Sequence, residues 1–565
     1  MLHTYFDWIA SQRSRFDQQV QSELKQLSII TAFFFSFVLC LSLHRYYTFY
    51  VSYDHGLFNQ IFLNNLHGRF FQSSLSGANS FGALAEGKVP LISAVHLGQH
   101  FVPDFLLWLP FYALFPDPVT LVVLQTSLMT AGGVVLYWLA RHYLQPNLSL
   151  FITASYYSAS AVLGPTLANF YEQCQIPLLT FGCLLAMEKQ RWWLFWLLAL
   201  LVLGIREDTG LILFSIGLYL LVSRRQPLIG GLLCVLSFGY VTAITTFVMP
   251  HFSADSSKLY LASRFKDFVE GNSDPSTLQV LLGLLTHPIN LFTKLFSPFD
   301  TRIFYLFKQW LPLAFVSAIS GASWILTGVP LLSLMTQSGP IALTISIRYS
   351  ISVVPGLFYG AIIWWSYHAN QFKPSFRRFW IGCLSLSLVI VLADNPNRTF
   401  YFLQPDPFLA QFSVPIARQW EHSRHVWNIV HAIPPQATVS TSTYMIPALS
   451  NRRGVLRVPF MKLQEDNGQI ATVDYVAADV WQLLRPQGLP KFDVSHLQSA
   501  LELCDRVIAD SSYGIRAVED GVVLLQKGVR SDPTALTAWR NFRPQLLSPP
   551  GNSLLNDRNK RVEEN

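Results

Sequence analysis

The sequence predicts an all-α polytopic membrane protein of about eleven transmembrane helices, followed by a small C-terminal α/β soluble domain. Three observations carry that reading. Hydrophobic residues make up 51% of the 565 and charged residues only 13%, about half the charged share of an ordinary soluble domain. Apolar runs recur along most of the chain, separated by short basic clusters. From about residue 395 those runs give way to short β-branched segments.

The apolar runs fall at 28–48, 119–140, 147–164, 174–187, 192–205, 209–222, 227–249, 350–367 and 379–393. Several are shorter than the ~20 residues of a straight crossing, but charged clusters separate them cleanly. Arg141-His142, Glu188-Lys189-Gln190-Arg191, Arg224-Arg225 and Arg377-Arg378 recur after every second run. Placing these clusters in the cytoplasm puts the N-terminal segment 1–27 inside as well. It puts 49–118, 165–173, 206–208 and 250–302 on the outer face of a cytoplasmic (inner) membrane. The stretch 303–340 must then cross twice or not at all, and Pro330, Gly339 and Pro340 suit a hairpin or a re-entrant loop. Two crossings there give about eleven in all, and none gives about nine. Either number leaves the C-terminal domain outside.

The net charge of +7 does not indicate nucleic-acid binding, because the basic residues sit in short loops between apolar runs. The mixed-charge stretch before the first run is not a secretory signal peptide. Of the six cysteines only Cys504 lies in the C-terminal domain, and no CxxC pair occurs, so neither a disulfide framework nor a zinc site is expected there.

The membrane part is assigned to 28–394, the α/β domain to 395–530, and a polar tail expected to be disordered to 531–565. Within the domain, 437–442, 454–460, 474–480 and 505–511 read as strands, and 495–504 as a helix. The segment 515–527 reads as a β-hairpin turning at Asp520-Gly521. No phosphate-binding glycine loop or nucleophile motif occurs there.

Polar residues near a membrane are costly, so where they gather is informative. They gather on the outer face, above all in the first loop, 49–118. From Asp54 onward, Leu57, Phe58, Ile61, Phe62 and Leu66 share one helical face, and Asn59, Gln60, Asn64 and Asn65 the other. That pattern predicts an amphipathic helix lying at the membrane interface. Asp54 at its start is either an N-cap or a catalytic carboxylate. Further along, His96 and His100 beside Asp104 could hydrogen-bond a substrate or bind a metal. Gly98 and Pro103 argue against the continuous helix that a metal pair needs, and interfacial packing is the simplest alternative. Glu172 lies in a second outer loop and Arg206-Glu207-Asp208 in a third. Arg206 could clasp a phosphate bidentately, or pair internally with Glu207 or Asp208. Arg348-Tyr349 supplies a second candidate phosphate ligand.

These motifs resemble those of the predicted membrane protein family DUF2079. Asp54-His55-Gly56-Leu57-Phe58-Asn59-Gln60 resembles its D-L-G-I-F-D-Q signature, with His55 and Asn59 as departures. His100-Phe101-Val102-Pro103 resembles its H-F-S-P. Gln125 with Tyr137-Trp138-Leu139-Ala140-Arg141, the pair Glu207-Asp208, and Arg348-Tyr349 (where His-Tyr is frequent) follow in order. Asp520-Gly521-Val522-Val523-Leu524-Leu525 is similar to its closing hairpin. The layout is similar in turn to the GT-C superfamily of membrane glycosyltransferases. That resemblance implies a polyprenyl-phosphate-linked sugar donor and an essential carboxylate in the first outer loop, which falls on Asp54. No Asp-x-Asp pair is present, so an inverting, metal-independent reaction without cofactor is expected, with a divalent metal disfavoured.

The expected function is sugar transfer from that donor to an unidentified glycan, lipid or protein acceptor at the outer face, with the bilayer as the other partner. Asp54 would act as base. Arg206 and Arg348 would bind phosphate, and His96, His100 and Glu172 would orient the sugar or acceptor. Asp104, Glu207, Asp208 and Tyr349 complete the candidate site. The alternatives are a transporter or lipid flippase, which would need polar residues and broken helices at mid-membrane depth, and an inactive scaffold.

Overall fold

The computed structural model describes residues 2–269, 276–339, 341–393, 414–484 and 491–546. Among the described residues, four helices are long and apolar enough to cross a membrane: Gln21–Tyr47, Pro118–Arg141, Pro227–Ser253 and Pro374–Ala393. Shorter apolar helices, among them Trp192–Ile205, Gly210–Val222 and Gly321–Thr336, pack between them. Their breaks have local causes. The run 147–164 divides at Ala159, whose extended backbone ends one helix and starts the next. The stretch 303–340 reverses at Ala314 and Phe315, both left-handed, between Phe299–Trp310 and Gly321–Thr336. Pro340 of the expected hairpin lies outside the described residues.

Small residues bring helices together. A Cβ on Gly217 would lie 2.8 Å from the Gly230 carbonyl oxygen, so Gly210–Val222 and Pro227–Ala243 touch through their backbones. At the end of the bundle that carries the basic clusters, Glu188 is buried and takes both Arg225 Nη atoms at 2.8 Å. The Tyr143 and Tyr359 hydroxyls donate to the same carboxylate.

The C-terminal part is a mixed sheet. β1 (Val439–Thr441), β2 (Val455–Arg457) and β5 (Tyr475–Asp479) are parallel, while β6 (Tyr513–Glu519) and β7 (Val522–Lys527) add antiparallel, in the order β2-β1-β5-β7-β6. The β6–β7 turn falls at Asp520 (φ +47°) and Gly521 (φ +80°), where the Asp-Gly signal placed it. A further hairpin, β3 (Lys462–Gln464) with β4 (Ile470–Thr472), has no counterpart in the sequence reading. Two expectations are corrected. Residues 505–509 continue the Lys491–Ala509 helix instead of forming a strand, because Cys504 and Val507 keep the helical spacing of the buried Leu497, Ala500 and Leu501. The assigned tail begins with a helix, Pro533–Phe542, that is capped by Asp532 and buries Ala535 and Trp539. Residues 547–565, like 394–413 around the expected domain boundary, lie outside the described residues.

The sheet is buried on both faces, and its period-2 alternation divides its residues between two cores. Val439, Val455, Ala477, Val522 and Leu524 join the core of the helical bundle. Leu456, Val476, Ala478, Val523 and Leu525 form a second core with the Lys491–Ala509 helix. The sheet domain is therefore welded to the membrane part through shared apolar packing.

Candidate active site

The helix predicted from Asp54 runs Tyr53–Leu66. Its surroundings differ from the interfacial setting expected, because its polar face is buried under the sheet domain. Asn59 donates to Ser450 Oγ at 2.8 Å and to Asn451 Oδ1 at 2.7 Å, and accepts from the Tyr112 hydroxyl at 2.6 Å. Gln60 donates to the Arg452 and Arg453 carbonyls, both at 2.9 Å, and accepts from Ser73 Oγ at 2.6 Å. An aspartate at 59 could not supply the amide donors, which accounts for one departure from the family signature. The other departure is a staple. The His55 ring stands 2.9 Å from the Pro118 carbonyl through Nε2 and 3.2 Å from the Phe170 amide through Nδ1. Burial pulls this imidazole down to about 4, so it is neutral, donating through Nε2 and accepting at Nδ1.

That staple, with Asn169 bonded to the Ser52 amide at 2.9 Å, holds the 169–173 loop against the start of the helix. Tyr171 is thereby set beside Asp54. The N-cap of the helix is Ser52, and Asp54 lies in the first turn. The Asp54 carboxylate accepts from Arg348 Nη1 at 2.9 Å. Arg348 comes from a 3-10 turn, Arg348–Ser352, at the entry to the Val354–His368 helix. Its guanidinium lies 4.2 Å from the Tyr171 ring centre and 5.0 Å from that of Tyr349. Its Nε is buried with no hydrogen-bond partner among the described residues.

Tyr349 joins this pair to a second group. Its hydroxyl accepts from Arg264 Nη2 at 2.6 Å and Arg348 Nη2 at 3.3 Å. Its ring lies 5.7 Å from the Arg206 guanidinium. Burial pushes the phenol up, but Arg348, Arg264 and Arg206 outweigh it and hold the phenol below its ordinary value. Arg206 is buried and held by carboxylates: Asp208 through Nε at 2.9 Å and Nη2 at 2.5 Å, Glu172 through Nη1 at 3.3 Å, and Glu207 at 3.6 Å. Of its two readings from sequence, the internal ion pair is the arrangement present.

Glu207 also accepts from the Phe101 amide at 3.0 Å and contacts His100 Nδ1 at 2.8 Å. Burial, outweighing Arg206, raises the Glu207 carboxyl. Burial and then the Arg206 charge bring His100 to about 3, so its Nδ1 is the donor to Glu207 and its Nε2 the acceptor nitrogen. His96, at about 3 through burial, meets Ser76 Oγ through Nδ1 at 3.0 Å, and its ring centre is 6.0 Å from that of His100. The two histidines belong to a short 3-10 turn and the loop after it, not to one face of a helix, and each Nδ1 is committed to a protein partner.

Asp54, Arg348, Tyr349, Arg206, Glu172, Asp208, Glu207 and His100 therefore form one continuous polar chain, with His96 at its edge. Asp104 stands apart, packed against Gly204, and burial alone raises its carboxyl to about 7. Sequence reasoning missed Arg264 and Tyr171. Arg264 lay unremarked in the 250–302 segment, and Tyr171 unremarked beside Glu172 in the 165–173 loop. Arg457, from β2, packs on the residue before Asp54, with its guanidinium 4.8 Å from the Tyr53 ring centre.

A small cleft adjoins the chain at Arg206, Asp208 and Tyr349. Gln173 and Gln337 add to its polar lining, while Ile176, Leu211, Ile212, Pro330 and Leu334 make its apolar lining. Its walls are therefore part polar and part apolar.

The family described as predicted membrane protein, DUF2079, matches residues 45–524. No curated protein matches the chain. Among solved structures, ArnT from Cupriavidus metallidurans bound to undecaprenyl phosphate is similar over 90% of this chain and 99% of that chain, with a TM-score of 0.46 and 12% identity.

Proposed function

We propose that this chain, which belongs to the DUF2079 family of predicted membrane proteins, transfers a sugar from a polyprenyl-phosphate donor to an acceptor hydroxyl at the outer face of the membrane. One observation carries the reading. A half-exposed carboxylate, Asp54, is paired with Arg348, and Arg348 leads through Tyr349 into a cleft with both polar and apolar walls.

In the proposed reaction the donor's phosphate takes hydrogen bonds from Arg348, and its chain runs along Leu211, Pro330 and Leu334 into the lipid. The acceptor hydroxyl gives its proton to Asp54 as its oxygen attacks the anomeric carbon. The bond from that carbon to the phosphate oxygen breaks, and the polyprenyl phosphate leaves with the charge that Arg348 and Tyr349 stabilise. Arg206, already held by three carboxylates, positions Tyr349 and Glu172 instead of taking the phosphate itself. His100, with His96 packed beside it, orients the sugar or acceptor from the far end of the polar chain. In this reading the shorter helices complete about eleven crossings and leave Asp54 and the sheet domain outside.

The test is transfer of radiolabelled sugar from a synthetic polyprenyl-phosphate donor to a cell-envelope extract by purified protein. Asp54→Asn removes the base but keeps its size, and should lower transfer by about 10²–10⁴-fold. Undiminished transfer by the variant rejects Asp54 as base. Absence of transfer by the unmodified protein with every donor tried rejects the glycosyltransferase reading in favour of a transporter or scaffold.

A further inference from the structure

Arg348 is the better anchored member of the Asp54 pair. Its side chain is 17% exposed against 35% for Asp54. Tyr171 and Tyr349 fix its plane, and Tyr171 is itself tied by its hydroxyl to Asn169 at 2.9 Å. Asp54 holds it through a single bond, Oδ2 to Nη1. A phosphate can take two guanidinium donors at once and so bonds it better than a carboxylate that uses one.

We infer that Asp54 and the donor phosphate compete for Arg348, so that phosphate binding releases the Asp54 carboxylate to receive the acceptor, with Tyr171 as the positioning residue that holds the guanidinium between its two partners. The idea rests on the proposed donor site and adds an order to it: donor first, acceptor second. The base is masked by Arg348 until the leaving group that needs Arg348 is in place. That order keeps the base from taking a proton before a donor is bound. The exchange moves no proton and breaks no covalent bond. One charge-assisted hydrogen bond is replaced by another.

A double-mutant cycle in binding tests it. The probes are a short-chain polyprenyl phosphate and inorganic phosphate, titrated by calorimetry into detergent-solubilised full-length protein. Removing the competitor with Asp54→Asn should tighten binding about five-fold, the worth of a partly exposed ion pair. In an Arg348→Gln background the same substitution should give no gain. Arg348→Lys, which keeps the charge, serves if Arg348→Gln is not monodisperse, and should retain a fraction of the gain. A gain with inorganic phosphate shows that the headgroup alone competes, and a gain confined to the lipid shows that anchoring in the cleft is required; either supports the exchange. An equal gain in both backgrounds would mean general repulsion between Asp54 and the phosphate and overturns it. So does a cycle in which Asp54→Asn leaves affinity unchanged while Arg348→Gln still weakens it, a result that leaves the donor site standing. Failure of the unmodified protein to bind either probe instead overturns the donor reading itself.

Discussion

Replacing Gln60 by leucine removes the clasp between the Asp54 helix and the sheet domain while keeping side-chain volume roughly constant. Five groups lose a bond to the amide: the Arg452 and Arg453 carbonyls, the Ser73 and Ser74 hydroxyls and the Leu75 amide. Gln60 is fully buried, so water cannot replace it without rearrangement. A buried polar group left unsatisfied costs about 1–3 kcal/mol. Neighbouring losses do not add fully, and Ser74 and Leu75 keep other partners, so the expected destabilisation is about 3–5 kcal/mol. The assay is the apparent unfolding temperature in detergent, together with proteolysis of the segment around Ser450. The variant should unfold at a clearly lower temperature and be cut faster there. A variant indistinguishable from the parent in both measurements would refute the burial of this helix face and return it to the water-facing position that its amphipathic pattern suggested.

Two further predictions concern charge. His422, on the Ile416–Ala432 helix, lies 2.7 Å from Asp520 and 3.2 Å from Asp479. Burial pulls it down, but the two carboxylates outweigh burial and raise it from 6.5 to about 9. This contribution is complete below pH 6.5 and is lost as pH rises through about 9, a span worth about 3 kcal/mol. The Asp520 side of the same interaction, opposed by burial but held down to about 2 by His422 and Arg418, is lost only as pH falls toward that value. Unfolding temperature measured from pH 6 to 10 should fall in the parent, and that fall should be smaller in His422→Gln; parallel curves contradict the assignment. Arg206→Lys keeps one charge but cannot span Asp208 and Glu172 together, and breaking a buried pair costs about 3 kcal/mol or more. A lysine variant as stable as the parent would mean that Arg206 is not held by these carboxylates.

Hydropathy made the helices legible because a lipid-facing or core-facing run must be apolar whatever its neighbours. The boundaries 192–205, the helix start at 227 and the Asp520-Gly521 turn needed only local information. What failed was long-range. The polar face of the Asp54 helix was read as water-facing, since a pattern shows that polar groups need partners and not which ones. Its partners, Ser450 to Arg453, lie far along the chain. The same limit hid Arg264, which meets Tyr349 only after the segment folds back onto the end of the Gly321–Thr336 helix. The chain order of Asp54, Arg206 and Arg348 singled out chemistry-bearing residues. It could not show that Arg206 is enclosed by Glu172 and Asp208 while Arg348 is the guanidinium joined to Asp54.

The central claim is that an anionic lipid headgroup binds between Arg348 and the amphiphilic cleft, within reach of Asp54. Structure determination of the full-length protein in lipid nanodiscs with a polyprenyl phosphate added tests it most directly. The account predicts phosphate density within about 3 Å of the Arg348 guanidinium, with the chain leaving past Leu211 and Pro330. Phosphate density at the opposite end, beside Arg225 and Glu188, or at mid-depth between helices with Arg348 still bonded to Asp54, would contradict it.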